Sequence, residues 1–143
     1  MLLFFFLLVL LLDQVSKAWV LSKMALHQSI PIIDGVFHLT LVKNTGAAFG
    51  VLPFQRTLFI VVGIIMMIAL LIFIYLKRPD RFWQQFALGI GLGGVVGNLV
   101  DRIRFGYVVD FLDFQVWPVF NIADSALVIS VGLIIILFVL KGE

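Results

Sequence analysis

Four long apolar stretches separated by polar segments set the pattern of this 143-residue chain. They cover roughly residues 2–21, 57–76, 83–102 and 121–140. Each reaches the roughly 20 residues that an α-helix needs to cross the hydrocarbon core of a bilayer. The pattern therefore predicts a single integral membrane domain, residues 1–143, with four transmembrane helices.

Positively charged residues indicate how these helices are oriented. Lys77, Arg78 and Arg81 lie in the short connection 77–81, which favours a cytoplasmic position for that loop. With an even number of spans, both termini are then also expected in the cytoplasm. The N-terminal apolar run has no Lys or Arg before it and no small-residue cleavage site after it. We therefore expect a retained helix rather than a removed signal peptide.

The two long connections, residues 23–55 and 105–119, lie on the opposite side of the membrane in this topology. Residues 30–41 are rich in β-branched side chains, with a turn signal at Asp34–Gly35, and the second connection is also extended in character. The predicted fold class is an all-α membrane protein, with four transmembrane helices and a small extended or β platform formed by the two long extracytoplasmic connections.

Composition supports a membrane protein and excludes several function classes. Hydrophobic residues make up 63% of the chain and charged residues 13%, and a small soluble domain cannot bury such an apolar fraction. The net charge of +2 gives no indication of nucleic-acid binding. The absence of cysteine excludes thiolate chemistry. His27 and His38 lie outside an HExxH pattern, which argues against a zinc peptidase.

Ionisable residues inside or beside apolar spans are costly and usually face the protein interior. Asp13 and Lys17 are four residues apart on one helix face, where they either form an ion pair or support a site. Asn98 and Arg102 have the same spacing on the third span. A glycine stripe on that span allows another helix to approach closely and carries Asp101 into the contact. The stripe consists of Gly89, Gly93 and Gly97.

A further polar cluster opens the fourth span. Asn121 and Asp124 resemble a capping box, in which both side chains bond to the first helical turn. Capping alone does not explain Asp110, a second acid in an apolar segment. Asp113 is a weaker candidate, because it lies beside Gln115 and is expected to be solvated.

The chemistry available to these residues is limited. The serines have no histidine base within their spans, and a Ser–Lys pair using Lys17 would lack a recognisable nucleophile setting. A metal site of aspartates alone would lack the ligands that zinc prefers. Two carboxylates held close together in a low dielectric cannot both ionise readily. Such a pair supplies a general base to activate water and a general acid to protonate the substrate.

Four segments resemble, in order and spacing, the motifs of bacterial lipoprotein signal peptidase (signal peptidase II). They are Asp13–Lys17, Asn44–Gly50, Gly97–Arg102 followed by Val108–Phe111, and Phe120–Ser125. The resemblance implies an aspartic endopeptidase of the bacterial cytoplasmic (inner) membrane with its active site toward the outer face. Its substrate would be a diacylglyceryl-modified prolipoprotein, cleaved just before the lipidated cysteine.

The resemblance also implies roles for individual residues. Asp110 and Asp124 would be the catalytic dyad, and the supporting or substrate-binding residues would be Asp13, Asn44, Gly46, Asn98, Asp101, Arg102 and Asn121. The segment Gly46–Ala47–Ala48 would lie close to a lipid-bearing substrate, or form an ordinary turn. The expected partners are the prolipoprotein, membrane lipids and globomycin-like inhibitors. No metal, cofactor or nucleic acid is expected, and the expected oligomeric state is a monomer.

Two hypotheses from other classes remain open at this point. A small transporter or channel would use Asp13, Asp101 and Asp124 as an ion or proton path. A non-catalytic assembly factor would use the glycine stripe of the third span as its docking surface. Ion flux would support the first, and sensitivity to bulky residues at Gly93 or Gly97 would support the second.

Overall fold

The computed structural model describes residues 1–47 and 51–142. Its elements, in chain order, are α1 (Leu2–Lys23), β1 (Ser29–Ile33), β2 (Phe37–Asn44), α2 (Arg56–Lys77), α3 (Phe82–Phe105), β3 (Val108–Asp113) and α4 (Ile122–Ile134). A π-helical segment, Ile135–Leu140, continues α4 and was not predicted. Within the described ranges, four helices are long and apolar enough to cross a membrane, and three strands form one antiparallel sheet. The predicted fold class is confirmed.

α3 is the central helix of the bundle. Most of its residues are buried, and it packs against α1, α2 and α4. In α2, by contrast, only Gly63 is buried. The mean hydropathy over an 18-residue window follows the same division, at 1.3 for α3 and 3.2 for α2. Polar side chains are therefore concentrated on the helix that is shielded from lipid, where other protein groups can satisfy them.

Glycines set how closely the neighbouring helices approach α3. A Cβ atom at Gly93 would lie 2.8 Å from the Cβ of Val9 in α1. A Cβ atom at Gly94, on another face, would lie 2.6 Å from the carbonyl oxygen of Ala123 in α4. The predicted role of the glycine stripe is confirmed, because Gly97 likewise faces Asp13 of α1. This close packing brings the polar residues of three helices within hydrogen-bonding distance.

The sheet lies at one end of the bundle, formed as predicted by the two long connections. Its strand order is β1-β2-β3, and both pairings are antiparallel. An apolar cluster joins the end of α1 to β2 and β3, and consists of Val20, Met24, Leu41, Val109 and Phe111. The cluster fixes β3 against the helices, whereas β1 is exposed along its whole length.

Candidate active site

Asp110 is held in the buried strand β3. α3 is followed by Gly106, whose φ of +79° reverses the chain into this strand. The carboxylate of Asp101 then accepts a hydrogen bond of 3.0 Å from the N–H of Val109. The Asn121 side chain donates to the Asp110 carboxylate (2.8 Å) and to the Val109 carbonyl (3.2 Å). Asp110, which is 2% exposed, is thereby fixed beside the start of α4.

Asp124 lies in the first turn of α4, where the predicted capping box is present. Its N–H donates to the Asn121 side chain (2.8 Å), and its carboxylate accepts from the Asn121 N–H (3.2 Å). The other carboxylate oxygen of Asp124 accepts a hydrogen bond of 2.7 Å from the Asn98 side chain. A capping role therefore accounts for only one of the two oxygens.

The two carboxylates open into one cavity of about 310 Å³ between β3, α3 and the start of α4. Asn121 contacts both of them, and its side chain also donates to Asn98 at 3.0 Å. The cavity is lined by Asn44, Ala47, Asn98, Arg102, Val108, Asp110, Trp117, Pro118, Val119, Phe120, Asp124, Leu127 and Val128. The lining combines polar and apolar side chains, which suits an amphipathic ligand.

Burial raises the pKa of Asp110 to about 7, and the negative charge of Asp124 acts in the same direction. Hydrogen bonds from the Asn44 and Asn121 side chains, together with the charge of Lys17, oppose this rise in pKa. Both protonation states of Asp110 are accordingly accessible at neutral pH. A group with that property can exchange a proton with a substrate.

Arg102 lines the same cavity as a half-buried cation. Its guanidinium lies 5.3 Å from the centre of the Phe59 ring in α2. The backbone around it is fixed by Arg56, which donates to the carbonyls of Arg102 (3.0 Å) and Ile103 (2.6 Å). The guanidinium can therefore contribute positive charge and hydrogen-bond donors to a ligand in the cavity.

A second pair of buried acids lies behind the cavity. Lys17 forms ion pairs with Asp13 (2.8 Å) and Asp101 (3.0 Å), so the predicted Asp13–Lys17 pair is present. The other oxygen of Asp13 accepts from the N–H of Ala123 at 2.9 Å. Asp13 and Asp101 thus share the positive charge of Lys17 and tie α1, α3, α4 and β3 together.

Near Asp110, a smaller cavity of about 260 Å³ is lined in part by Asn44 and Gly46. The Asn44 side chain accepts a hydrogen bond from the Gly46 N–H (2.9 Å) and donates to the Ala47 carbonyl (3.2 Å). The expectation for Gly46–Ala47–Ala48 is testable only as far as Ala47, because Ala48 lies outside the described residues. Among the residues that the structure describes, no three His, Asp or Glu side chains are grouped as metal ligands.

Comparison with known proteins decides the family. The family model for Signal peptidase (SPase) II matches residues 5–140. The chain belongs to the signal peptidase II family.

Relatives and solved structures agree with this membership. A lipoprotein signal peptidase of Halothermothrix orenii is 54% identical over 130 residues, covering 91% of this chain and 89% of the relative. One from Pelotomaculum thermopropionicum is 48% identical, covering 84% and 79%. A solved bacterial membrane enzyme superposes with a TM-score of 0.91 at 35% identity, covering 98% of this chain and 88% of the other. Another has a TM-score of 0.86 at 36% identity, covering 95% and 90%.

Membership of the signal peptidase II family makes this chain a protease and a multi-pass bacterial membrane protein. The structure brings together the residues that the motifs indicated. Asn44, Asn98, Arg102, Asp110 and Asp124 line one cavity. Asn121 joins the carboxylates, Gly46 lies in the adjoining cavity, and Asp13 and Asp101 lie behind.

One sequence expectation is wrong. Asp113 is only 8% exposed rather than solvated. Its carboxylate accepts hydrogen bonds from Thr40 (2.6 Å) and from the backbone and side chain of Gln115 (2.8 and 2.7 Å). Asp113 therefore joins β2 to the segment after β3, which leads to Trp117 in the cavity lining.

The site also contains residues that the sequence predictions do not include. Gln14 donates to Asp13 (3.1 Å), Asp101 (3.0 Å) and the carbonyl of Gly97 (3.1 Å). Its polarity inside an apolar span was the available signal. Trp117 lines the cavity from an irregular segment, where no periodicity indicates its direction.

Proposed function

We propose that this protein is an aspartic endopeptidase that removes signal peptides from diacylglyceryl-modified prolipoproteins. Cleavage would occur just before the lipidated cysteine, with Asp110 and Asp124 as the catalytic dyad. One observation carries the proposal: the two carboxylates share a cavity and are both bonded to Asn121. Within the described residues, neither belongs to an ion pair at salt-bridge distance.

The environments of the two aspartates suggest a division of roles. Asp124 is a general base, since its oxygens accept from Asn98 and from the Asn121 N–H, as a carboxylate does. Asp110 is a general acid, since burial raises its pKa to about 7. The two aspartates titrate as a coupled pair, with one proton between them in the active form.

Cleavage then proceeds by direct attack of water. Asp124 takes a proton from a water molecule while the oxygen of that water forms a bond to the scissile carbonyl carbon. At the same time Asp110 gives its proton to the carbonyl oxygen. The product is a neutral tetrahedral intermediate, without an acyl-enzyme. Asp124 next gives its proton to the leaving nitrogen while the C–N bond breaks, and Asp110 recovers the hydroxyl proton. The dyad returns to its starting protonation state, and no metal or cofactor takes part.

A lipid-bearing substrate fits the surroundings of this dyad. A second, mainly apolar cavity of about 460 Å³ shares Asp124, Trp117 and Phe120 with the first. It also borders on Val128 and Ile129, which are 74% and 52% exposed on α4. These exposed side chains face the bilayer if α4 spans it, so an acyl chain can reach the site from the membrane. Globomycin-like inhibitors would occupy the same cavities.

In this proposal Asn44, Gly46, Asn98, Arg102 and Asn121 contact substrate or position the dyad, and Asp13 and Asp101 support them. The chain acts as a single domain, as a monomer, in the cytoplasmic membrane. Both termini lie in the cytoplasm, and the sheet and the site lie at the outer face.

The other two hypotheses receive less support. An ion path would need accessible acids, yet Asp13 and Asp101 are buried and paired with Lys17. A docking surface on the glycine stripe would need that stripe to be open. Gly93 and Gly97 instead pack against α1 within the chain.

A gel-shift cleavage assay tests the proposed substrate. Purified protein in lipid is given a diacylglyceryl-modified prolipoprotein, the same prolipoprotein without lipid, and a version whose cysteine is replaced by serine. Loss of the signal peptide from the lipidated substrate alone is expected. Equal cleavage of the unlipidated substrate, or ion flux in proteoliposomes without any cleavage by folded protein, would contradict the proposal.

A further inference from the structure

Lys17 is a buried cation that the proposed mechanism does not use. It lies in α1 and is 2% exposed. Besides its ion pairs with Asp13 and Asp101, its ammonium donates a hydrogen bond of 3.1 Å to the side-chain oxygen of Asn98. The ion pairs account for its burial. The third contact points toward the dyad.

Asn98 connects Lys17 to both aspartates. Its oxygen accepts from Lys17 and from Asn121 (3.0 Å), and its NH₂ group donates to Asp124 at 2.7 Å. An ammonium can only donate hydrogen bonds, so the Asn98 side chain must turn its amide oxygen toward Lys17. The NH₂ group is then directed at Asp124. A reversed amide would place an oxygen against the carboxylate and lose all three bonds.

The charge of Lys17 also reaches the dyad. Burial is the main influence on the pKa of Asp110 and raises it, while the positive charge of Lys17 is among the influences that lower it. The charged groups around Lys17 are the two dyad members, Asp110 on β3 and Asp124 on α4, together with Asp13 on α1 and Asp101 and Arg102 on α3.

We propose that Lys17 is a positioning residue for the dyad: it orients the Asn98 amide toward Asp124 and supplies buried positive charge behind both carboxylates. The proposal rests on the function proposed above. It assigns to the ion-paired cluster a role in catalysis in addition to holding the helices together.

The test is the pH profile of cleavage by Lys17→Met beside Lys17→Arg. In Lys17→Met, kcat is expected to fall about 10- to 100-fold, since a small displacement of a catalytic group has that effect. KM should change little, because Lys17 is absent from the cavity lining. Loss of the cation raises the pKa of Asp110, so the alkaline limb should move up by about one pH unit. Lys17→Arg keeps the charge and should leave that limb in place.

A double variant, Lys17→Met with Asp101→Asn, covers the case in which the single variant does not fold. It removes a buried charge of each sign, so that one carboxylate, Asp13, is left without its cation instead of the two left by Lys17→Met. Asp101 is not among the influences on the pKa of Asp110, so the same shift of the alkaline limb is expected. An unmoved limb in whichever variant folds overturns the proposal, and so does failure of both variants to fold, because Lys17 is then only structural.

These outcomes are separate from failure of the proposed function. If Asp110→Asn and Asp124→Asn still cleave the substrate, the dyad itself is wrong, whatever Lys17 does. If both lose cleavage while the Lys17 variants keep the wild-type pH profile, only the role of Lys17 is wrong.

Discussion

Two pairs of aspartates lie close together in this protein, and their surroundings differ. Asp13 and Asp101 share the ammonium of Lys17 at 2.8 and 3.0 Å. Asp110 and Asp124 are held by the side-chain amides of Asn98 and Asn121 and open into a cavity. The first pair shares a cation that offsets one of its two negative charges, whereas the second, within the described residues, accepts its hydrogen bonds from neutral amide groups.

This difference separates a structural role from a chemical one. A buried ion pair fixes its charges, because removing either partner leaves an uncompensated charge. Neutral amides hold a carboxylate in place without neutralising it, so the carboxylate remains able to exchange protons. Sequence spacing alone did not distinguish the two pairs, since all four aspartates lie in or beside apolar segments.

The largest effect is expected from neutralising a member of the dyad. Asp110→Asn keeps the shape of the side chain but removes its acid function, so cleavage should fall by about 1000-fold or more. The rate of signal-peptide loss in the gel-shift assay measures this. Asp34→Asn, in the exposed turn between β1 and β2, is the matched control and should cleave as wild type. Comparable losses in both variants would show that removing any aspartate charge lowers cleavage, so that Asp110 has no special role.

A smaller loss is expected from Asn121, which contacts both carboxylates. Asn121→Ala removes the helix cap and the bond to Asp110 together, and cleavage should fall by about 100-fold. Asn121→Ser keeps a good capping residue while losing the amide donor. Thermal unfolding of the serine variant should therefore resemble wild type while its cleavage stays low. Recovery of cleavage in the serine variant would mean that Asn121 only caps α4.

The pH dependence of the wild-type enzyme sharpens the comparison further. Burial raises the pKa of Asp110 to about 7, so this acid holds its proton below that pH and loses it above. Cleavage should therefore decline as the pH rises through about 7. Measurement of kcat/KM across the neutral range tests this, with circular dichroism at each pH to verify the fold. A rate that increases through this range would exclude Asp110 as the general acid.

The smallest effect concerns the packing that supports both pairs. A Cβ atom at Gly94 would meet the carbonyl oxygen of Ala123 at 2.6 Å, so Gly94→Ala should lower stability by about 1–3 kcal/mol. Gly132→Ala is the matched control, because nothing lies within 4 Å of its added Cβ atom. Thermal unfolding in detergent should separate the two variants. Equal melting temperatures would mean that α3 and α4 can move apart without cost.

Much of this fold follows from sequence patterns that are local. Four apolar stretches predict the helices, and the β-branched run with Asp34–Gly35 predicts the hairpin. The capping box at Asn121 is visible because its partners are three residues apart. Each of these features depends on neighbours in the chain, which a sequence displays directly.

Other features depend on contacts between distant segments, and the sequence does not reveal them. The contacts of Gln14 with Asp101 and Gly97 cross from α1 to α3. The burial of Asp113 depends on Thr40 in the neighbouring strand. The pairing of Lys17 with Asp101 as well as Asp13 depends on the close approach that the glycines allow.

The most direct test compares one substitution in the two pairs. Asp124→Asn and Asp101→Asn are purified side by side, and the cleavage rate and melting temperature of each are measured. Asp124→Asn should remain folded and lose cleavage. Asp101→Asn should melt at a lower temperature, since it weakens the ion pair with Lys17, and should keep measurable cleavage. Substantial cleavage by Asp124→Asn would contradict the assignment of the dyad.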